Sequence, residues 1–112
     1  MGNRATIEVK DSDGQSAPAY IYLHWGGDPV DVIETVNKAE GVMRKTDCCY
    51  ALARLIGTYH NEIAGGLSLG VIAPTDIDPD FLDNGHFVID MGSGTITQNG
   101  EQIAAGFSFG EF

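Results

Sequence analysis

The second half of this chain contains no lysine and no arginine, the last residue of either kind being Arg54. From Leu55 to Phe112 there are eight acids, Glu62, Asp76, Asp78, Asp80, Asp83, Asp90, Glu101 and Glu111, while the first half sets eight acids against six bases. The 112 residues together carry a formal charge of −10 at pH 7. A field of that sign repels phosphate backbones, which argues against direct nucleic-acid binding, and it favours encounter with basic surfaces. Long apolar runs are missing too: nothing approaches the roughly 20 residues that span a bilayer, and no basic segment leads into an apolar run at the amino terminus. The expectation is a cytoplasmic protein without a membrane partner.

Cysteine is scarce, and the two present, Cys48 and Cys49, are neighbours. A bridge between adjacent residues of a helix needs a distorted peptide, so reduced thiols are expected. The sequence also lacks G-x-G-x-x-G, Walker and Gly-x-Ser-x-Gly patterns, and C-x-x-C or H-x-x-x-H spacing among Cys48, Cys49, His24, His60 and His86. Cys49 and His60 fall on one helix face but stand roughly 16 Å apart along it. No catalytic residue, cofactor or metal is therefore assigned, and the chain reads as a non-enzyme. Asp76, Asp78 and Asp80 alternate as in a calcium loop, yet Phe81 and Phe87 stand where an EF-hand needs glycine and glutamate, which excludes that motif.

The positive signals are periodic. Arg4 to Lys10 alternates, with Ala5, Ile7 and Val9 on one side, as in a half-buried strand. Tyr20 to Trp25 is a second strand, with Ile21, Leu23 and Trp25 on one face and Tyr20, Tyr22 and His24 on the other. The two form a hairpin around Asp11-Ser12-Asp13-Gly14. Asp28-Pro29 then starts a helix as cap and first turn, with Val32, Ile33, Val36 and Ala39 on its apolar stripe as far as about Glu40. Thr46 or Asp47 caps a second helix whose stripe is Cys49, Leu52, Ala53, Ile56, Tyr59 and Ile63, ending at Gly65-Gly66. Short strands follow at Leu67 to Ala73, His86 to Met91, and Thr95 to Gln98, the last turning through Asn99-Gly100 into Glu101 to Ala104. The tail Phe107-Ser108-Phe109 reads as an edge strand or a cover over the sheet. The fold expected is α+β, a single domain over residues 1–112 with an antiparallel or mixed sheet of about five strands in the order β-β-α-α-β-β-β, both helices on one face and the other face free.

His24-Trp25-Gly26-Gly27-Asp28 is the densest group of unusual residues, a strand end running into a helix amino terminus where an anion could sit. Asp28 already fills the capping role there, and Trp25 reads instead as a core anchor beside a tight glycine turn.

Gly2-Asn3-Arg4-Ala5-Thr6-Ile7 followed by Ile21-Tyr22-Leu23-His24-Trp25-Gly26-Gly27 resembles the opening of a group of small phage and prophage proteins of unknown function. Gly65-Gly66-Leu67-Ser68-Leu69-Gly70, after two helices, fits the same group. The resemblance carries no catalytic residues. It implies a bacterial host and a place among small accessory proteins, which include anti-CRISPR inhibitors, several of them compact, acidic and DNA-like in charge. Together with the charge it yields the leading expectation, an inhibitor that blocks a basic, DNA-binding surface of a host defence complex through Asp76, Asp78, Asp80, Asp83, Asp90, Glu101 and Glu111. The alternative is a small-ligand or nucleotide-sequestering protein that uses Tyr20, Tyr22, His24 and Trp25.

Overall fold

A computed structural model describes residues 4–62, 69–77 and 82–112. The chain runs through β1 (Ala5–Lys10), β2 (Tyr20–Leu23), α1 (Pro29–Ala39), α2 (Cys48–Glu62), β3 (Leu69–Ile72), β4 (His86–Asp90), β5 (Thr95–Gln98) and β6 (Glu101–Ala104). These strands make one mixed sheet in the order β3-β2-β1-β4-β5-β6. The fold is α+β as expected, with six strands where about five were expected, and the Asn99-Gly100 turn joins β5 to β6 in the hairpin read from the sequence. Asn99 at φ 52° and Gly100 at φ 86° give that turn two left-handed residues, the conformation that matches strand twist in a two-residue hairpin.

All neighbours in the sheet are antiparallel except β1 and β4, which pair in parallel from Thr6↔His86 to Lys10↔Asp90. A parallel neighbour needs a long crossover, supplied here by both helices and β3. This central pair brings residues about 80 positions apart in sequence into register, and the site described below depends on it.

Both helices cover the sheet face that carries Ala5, Ile7, Val9, Ile21, Leu23, Phe87, Ile89 and Ile96, all fully buried. From α1 the buried residues are Val32, Thr35, Val36 and Ala39, a 3.6-residue stripe that leaves Ile33 at its edge. Asp28 caps α1 as expected, its Oδ1 accepting from the Asp31 amide at 3.0 Å. Asp47 caps α2 by accepting from the Tyr50 amide. The α2 stripe differs from expectation by about a 100° rotation: Cys48, Ala51, Leu52, Leu55 and Tyr59 point inward, while Cys49 and Ala53 are exposed. Each buried aliphatic of this kind contributes about 1.5 to 3 kcal/mol. Ile63, Gly65-Gly66 and the first residues of the expected Leu67 strand lie outside the described residues.

One further expectation is corrected, and one pair of alternatives is decided. Trp25 is not a core anchor, because β2 ends at Leu23 and the alternation ends with it, leaving Trp25 49% exposed. The tail forms no edge strand: Phe109 packs into the core and the Gly110 amide donates to the Glu40 and Met43 carbonyls, with one parallel bridge to Arg44. Among the described residues no helix is long and apolar enough to cross a membrane.

Candidate functional site

The helix-free face of the sheet is held together by a polar network that spans three strands. Registry across β2, β1 and β4 sets Tyr22, Thr6 and His86 in one row. Thr6 Oγ1 lies 2.7 Å from His86 Nδ1, and His86 Nε2 lies 2.8 Å from Glu8 Oε1. Ser16 donates to the other oxygen of Glu8, the Tyr20 hydroxyl also donates to Glu8, and the Tyr20 ring leans on the imidazole at 4.8 Å between centroids. Asn99 fixes the start of β4 by accepting the His86 amide at 3.0 Å. Its side chain lies over Gly85, whose φ of +73° and lack of a Cβ leave room for it.

Burial pushes the Glu8 carboxyl up, but the hydrogen bonds from Ser16, His86 and Tyr20, with the His86 charge, outweigh it and hold Glu8 below the ordinary glutamate range. Burial and then the Glu8 charge push the Tyr20 hydroxyl up. Thr6, His86 and Glu8 have the hydroxyl–imidazole–carboxylate connectivity of a hydrolase triad, but Thr6 is wholly buried. A nucleophile must reach its substrate, so this arrangement ties strands together rather than attacking anything.

At the strand end the four expected ligand-binding residues separate into two roles. Tyr20 belongs to the internal network. Tyr22, His24 and Trp25 run outward as an aromatic strip, with the Tyr22 hydroxyl 3.3 Å from His24 Nδ1 and the His24 and Trp25 rings edge to face at 5.2 Å.

Of the seven acids expected to contact a partner, the five among the described residues are not gathered by the fold. Asp78 and Asp80 lie outside the described residues. Asp83 pairs with Arg4 at 3.2 Å, and the Arg4 amide and guanidinium hold its carboxyl below the usual range. Asp90 accepts the Gly92 and Ser93 amides and so belongs to the turn after β4. Glu111 reaches Lys45 at 3.6 Å. Asp76 is exposed on a 3-10 turn after β3, and Glu101 is exposed on the edge strand β6. Asp83 precedes β4 and Asp90 is its last residue, so the strand, about 13 Å over its four residue steps, lies between them.

A tighter group of carboxylates stands elsewhere. Asp28, Asp31 and Glu34 follow one another at i, i+3 and i+6 along α1, on the face beside its buried stripe. The last residue of α2, Glu62, joins them across a cleft of about 260 Å³ between the helices. Lys38 bridges the group, 3.0 Å from Glu62 and 3.7 Å from Glu34. Slight desolvation, then the charge of Asp28, a hydrogen bond with it and the charge of Glu34 push the Asp31 carboxyl up, the mark of a cluster with too few cations. Tyr59, 3% exposed, lies in the same cleft wall, and its hydroxyl has no hydrogen-bond partner among the described residues. A count of charge by halves of the chain hides this group, although the Asp28-x-x-Asp31-x-x-Glu34 spacing is legible in the sequence. Glu62, 28 residues further along, joins it only in three dimensions.

No known protein family, curated protein or solved structure matches the chain.

Proposed function

We propose that this protein is a non-enzymatic acidic binder that docks on a basic protein surface through the α1 face bearing Asp28, Asp31 and Glu34, with Glu62 at its margin. The observation that carries this reading is that cluster: Asp31, Glu34 and Glu62, with the cap residue Asp28 beside them, have one cation, Lys38, which reaches only Glu34 and Glu62, while elsewhere Asp83 and Glu111 each have a basic partner and Asp90 is engaged by backbone amides. An exposed patch of one sign steers encounter with a patch of the other and resists wrong partners. The resemblance to small phage proteins points to a DNA-binding surface of a bacterial defence complex as the one blocked, and a chain of charge −10 competes there in the manner of DNA.

The test is capture from bacterial lysate on the immobilised protein, with duplex DNA as competitor. Asp31→Asn with Glu34→Gln leaves the Asp28 cap intact and is expected to weaken capture of a DNA-binding complex about tenfold, whereas Asp76→Asn with Glu101→Gln leaves it nearly unchanged. Capture that ignores both DNA and the first variant removes the reading. A second reading, a planar ligand stacked on Trp25, rests on the half-exposed indole beside His24. Thermal stabilisation by nucleotides that is lost in Trp25→Ala would favour it.

A further inference from the structure

We infer that the cleft between α1 and α2 is a receptor for a guanidinium group, the side chain of an arginine carried by the basic partner. The inference rests on the docking reading above and names the contact at its centre. Three carboxylates, Asp31, Glu34 and Glu62, line the cleft with one ammonium, Lys38, among the described residues. Lys38 and the Thr35 hydroxyl together satisfy Glu62, at 3.0 Å on Oε1 and 2.8 Å on Oε2. Glu34 is left with only the long 3.7 Å contact from Lys38, and Asp31 with no cation, only its acidic neighbours Asp28 and Glu34.

The second observation is Tyr59. Thr35 gives its hydrogen to Glu62, so it donates nothing to the Tyr59 hydroxyl, which lies buried in the cleft wall with no hydrogen-bond partner among the described residues. Burial above all pushes this hydroxyl far above the ordinary phenol range, so it stays protonated and neutral. A buried phenol oxygen without a partner carries a desolvation cost that an incoming N–H would remove.

The shape of the acceptor set selects the cation. Among the described residues no three acidic, histidine or cysteine side chains stand close enough to hold a metal ion, so a compact divalent ion has no cage here. A planar guanidinium directs five N–H donors over a wider fork and can reach Asp31, Glu34 and the Tyr59 oxygen together. A cleft of about 260 Å³ holds that head and part of its aliphatic stem.

The experiment uses three probes on the isotope-labelled whole chain, followed by amide NMR and calorimetry: acetyl-Gly-Arg-Gly-amide, its citrulline counterpart, and agmatine. The expected result is saturable binding of the arginine peptide with shifts at Asp31, Glu34, Thr35 and Tyr59, and none with citrulline. Asp31→Asn is expected to weaken it about tenfold. Tyr59→Phe is the decisive variant: it lowers affinity several-fold while the melting temperature stays level or rises, a combination that a merely structural tyrosine does not give. Absence of saturable shifts at these amides, or unchanged affinity in Tyr59→Phe, overturns the inference. Agmatine binding as tightly as the peptide overturns the assignment to a protein arginine in favour of a free small guanidinium. Because these probes contain no protein partner, a failed lysate capture alongside a positive titration removes the docking reading alone, and the reverse removes only the arginine pocket.

Discussion

Glu8 and His86 show how much a single pair can settle in a small sheet. Their contact joins β1 to β4, the parallel pair of the sheet, and Ser16 and Tyr20 fasten the first hairpin to the same carboxylate. Glu8 binds its proton less tightly in the native state than in the unfolded chain, so the contribution is complete above the ordinary glutamate value of 4.5 and is lost as pH falls through the depressed native value. Unfolding midpoints measured from about pH 3 to pH 7 should therefore fall steeply on the acid side, and Glu8→Gln should lower the midpoint at pH 7 while flattening that slope. Asp83, held down by Arg4, leaves a residual slope in the variant. A variant with an unaltered acid limb would show that Glu8 is not the group responsible.

The elements differ in how far local chemistry determines them. Asp28-Pro29 and Asn99-Gly100 act within a few residues of themselves, through a side-chain cap and two left-handed dihedrals, and were legible from sequence for that reason. The orientation of α2 was not, because its apolar residues support two stripes one position apart that share Leu52 and Tyr59. Only contact with β1 and α1 chooses between them, and it buries Cys48 and Leu55 in place of Cys49 and Ala53. Leu55→Ala should accordingly cost about 2 to 5 kcal/mol in chemical denaturation. Cys49→Ala should change stability by less than about 0.5 kcal/mol. The reverse ranking would restore the rotated helix. The β1–β4 pairing, and with it the Thr6–His86–Glu8 network, was equally illegible, since alternation tells which residues share a face but not which strands become neighbours. The acidic face of α1 lay between these extremes: its three residues follow helical spacing, but Glu62 and the Tyr59 hydroxyl enter only through helix packing.

At the scale of the whole molecule the excess of sixteen acids over six Lys and Arg residues acts twice, and in opposite directions. Within the chain five of the six bases are already committed: Arg4, Lys38 and Lys45 to ion pairs, Arg54 over the Tyr50 ring at 4.8 Å, and Arg44 over Phe112 at 5.9 Å. The acids that remain repel one another across a protein with a radius of gyration of only 12.5 Å. Salt shortens the range of that repulsion to about 8 Å at physiological ionic strength, so the folded state gains from screening. Between about 0.02 and 0.3 M sodium chloride the melting temperature should rise by a few degrees, since surface ion pairs are worth too little to reverse the trend. Association with a basic partner depends on the same unscreened field between two molecules and should weaken by about tenfold or more over the same range. Calorimetric melting and binding measured in one salt series separate the two effects. A melting temperature that falls with salt would mean that the ion pairs, not the surplus acids, dominate the fold. Binding that holds constant while the melting temperature rises would place recognition on an uncharged surface such as the Tyr22–His24–Trp25 strip.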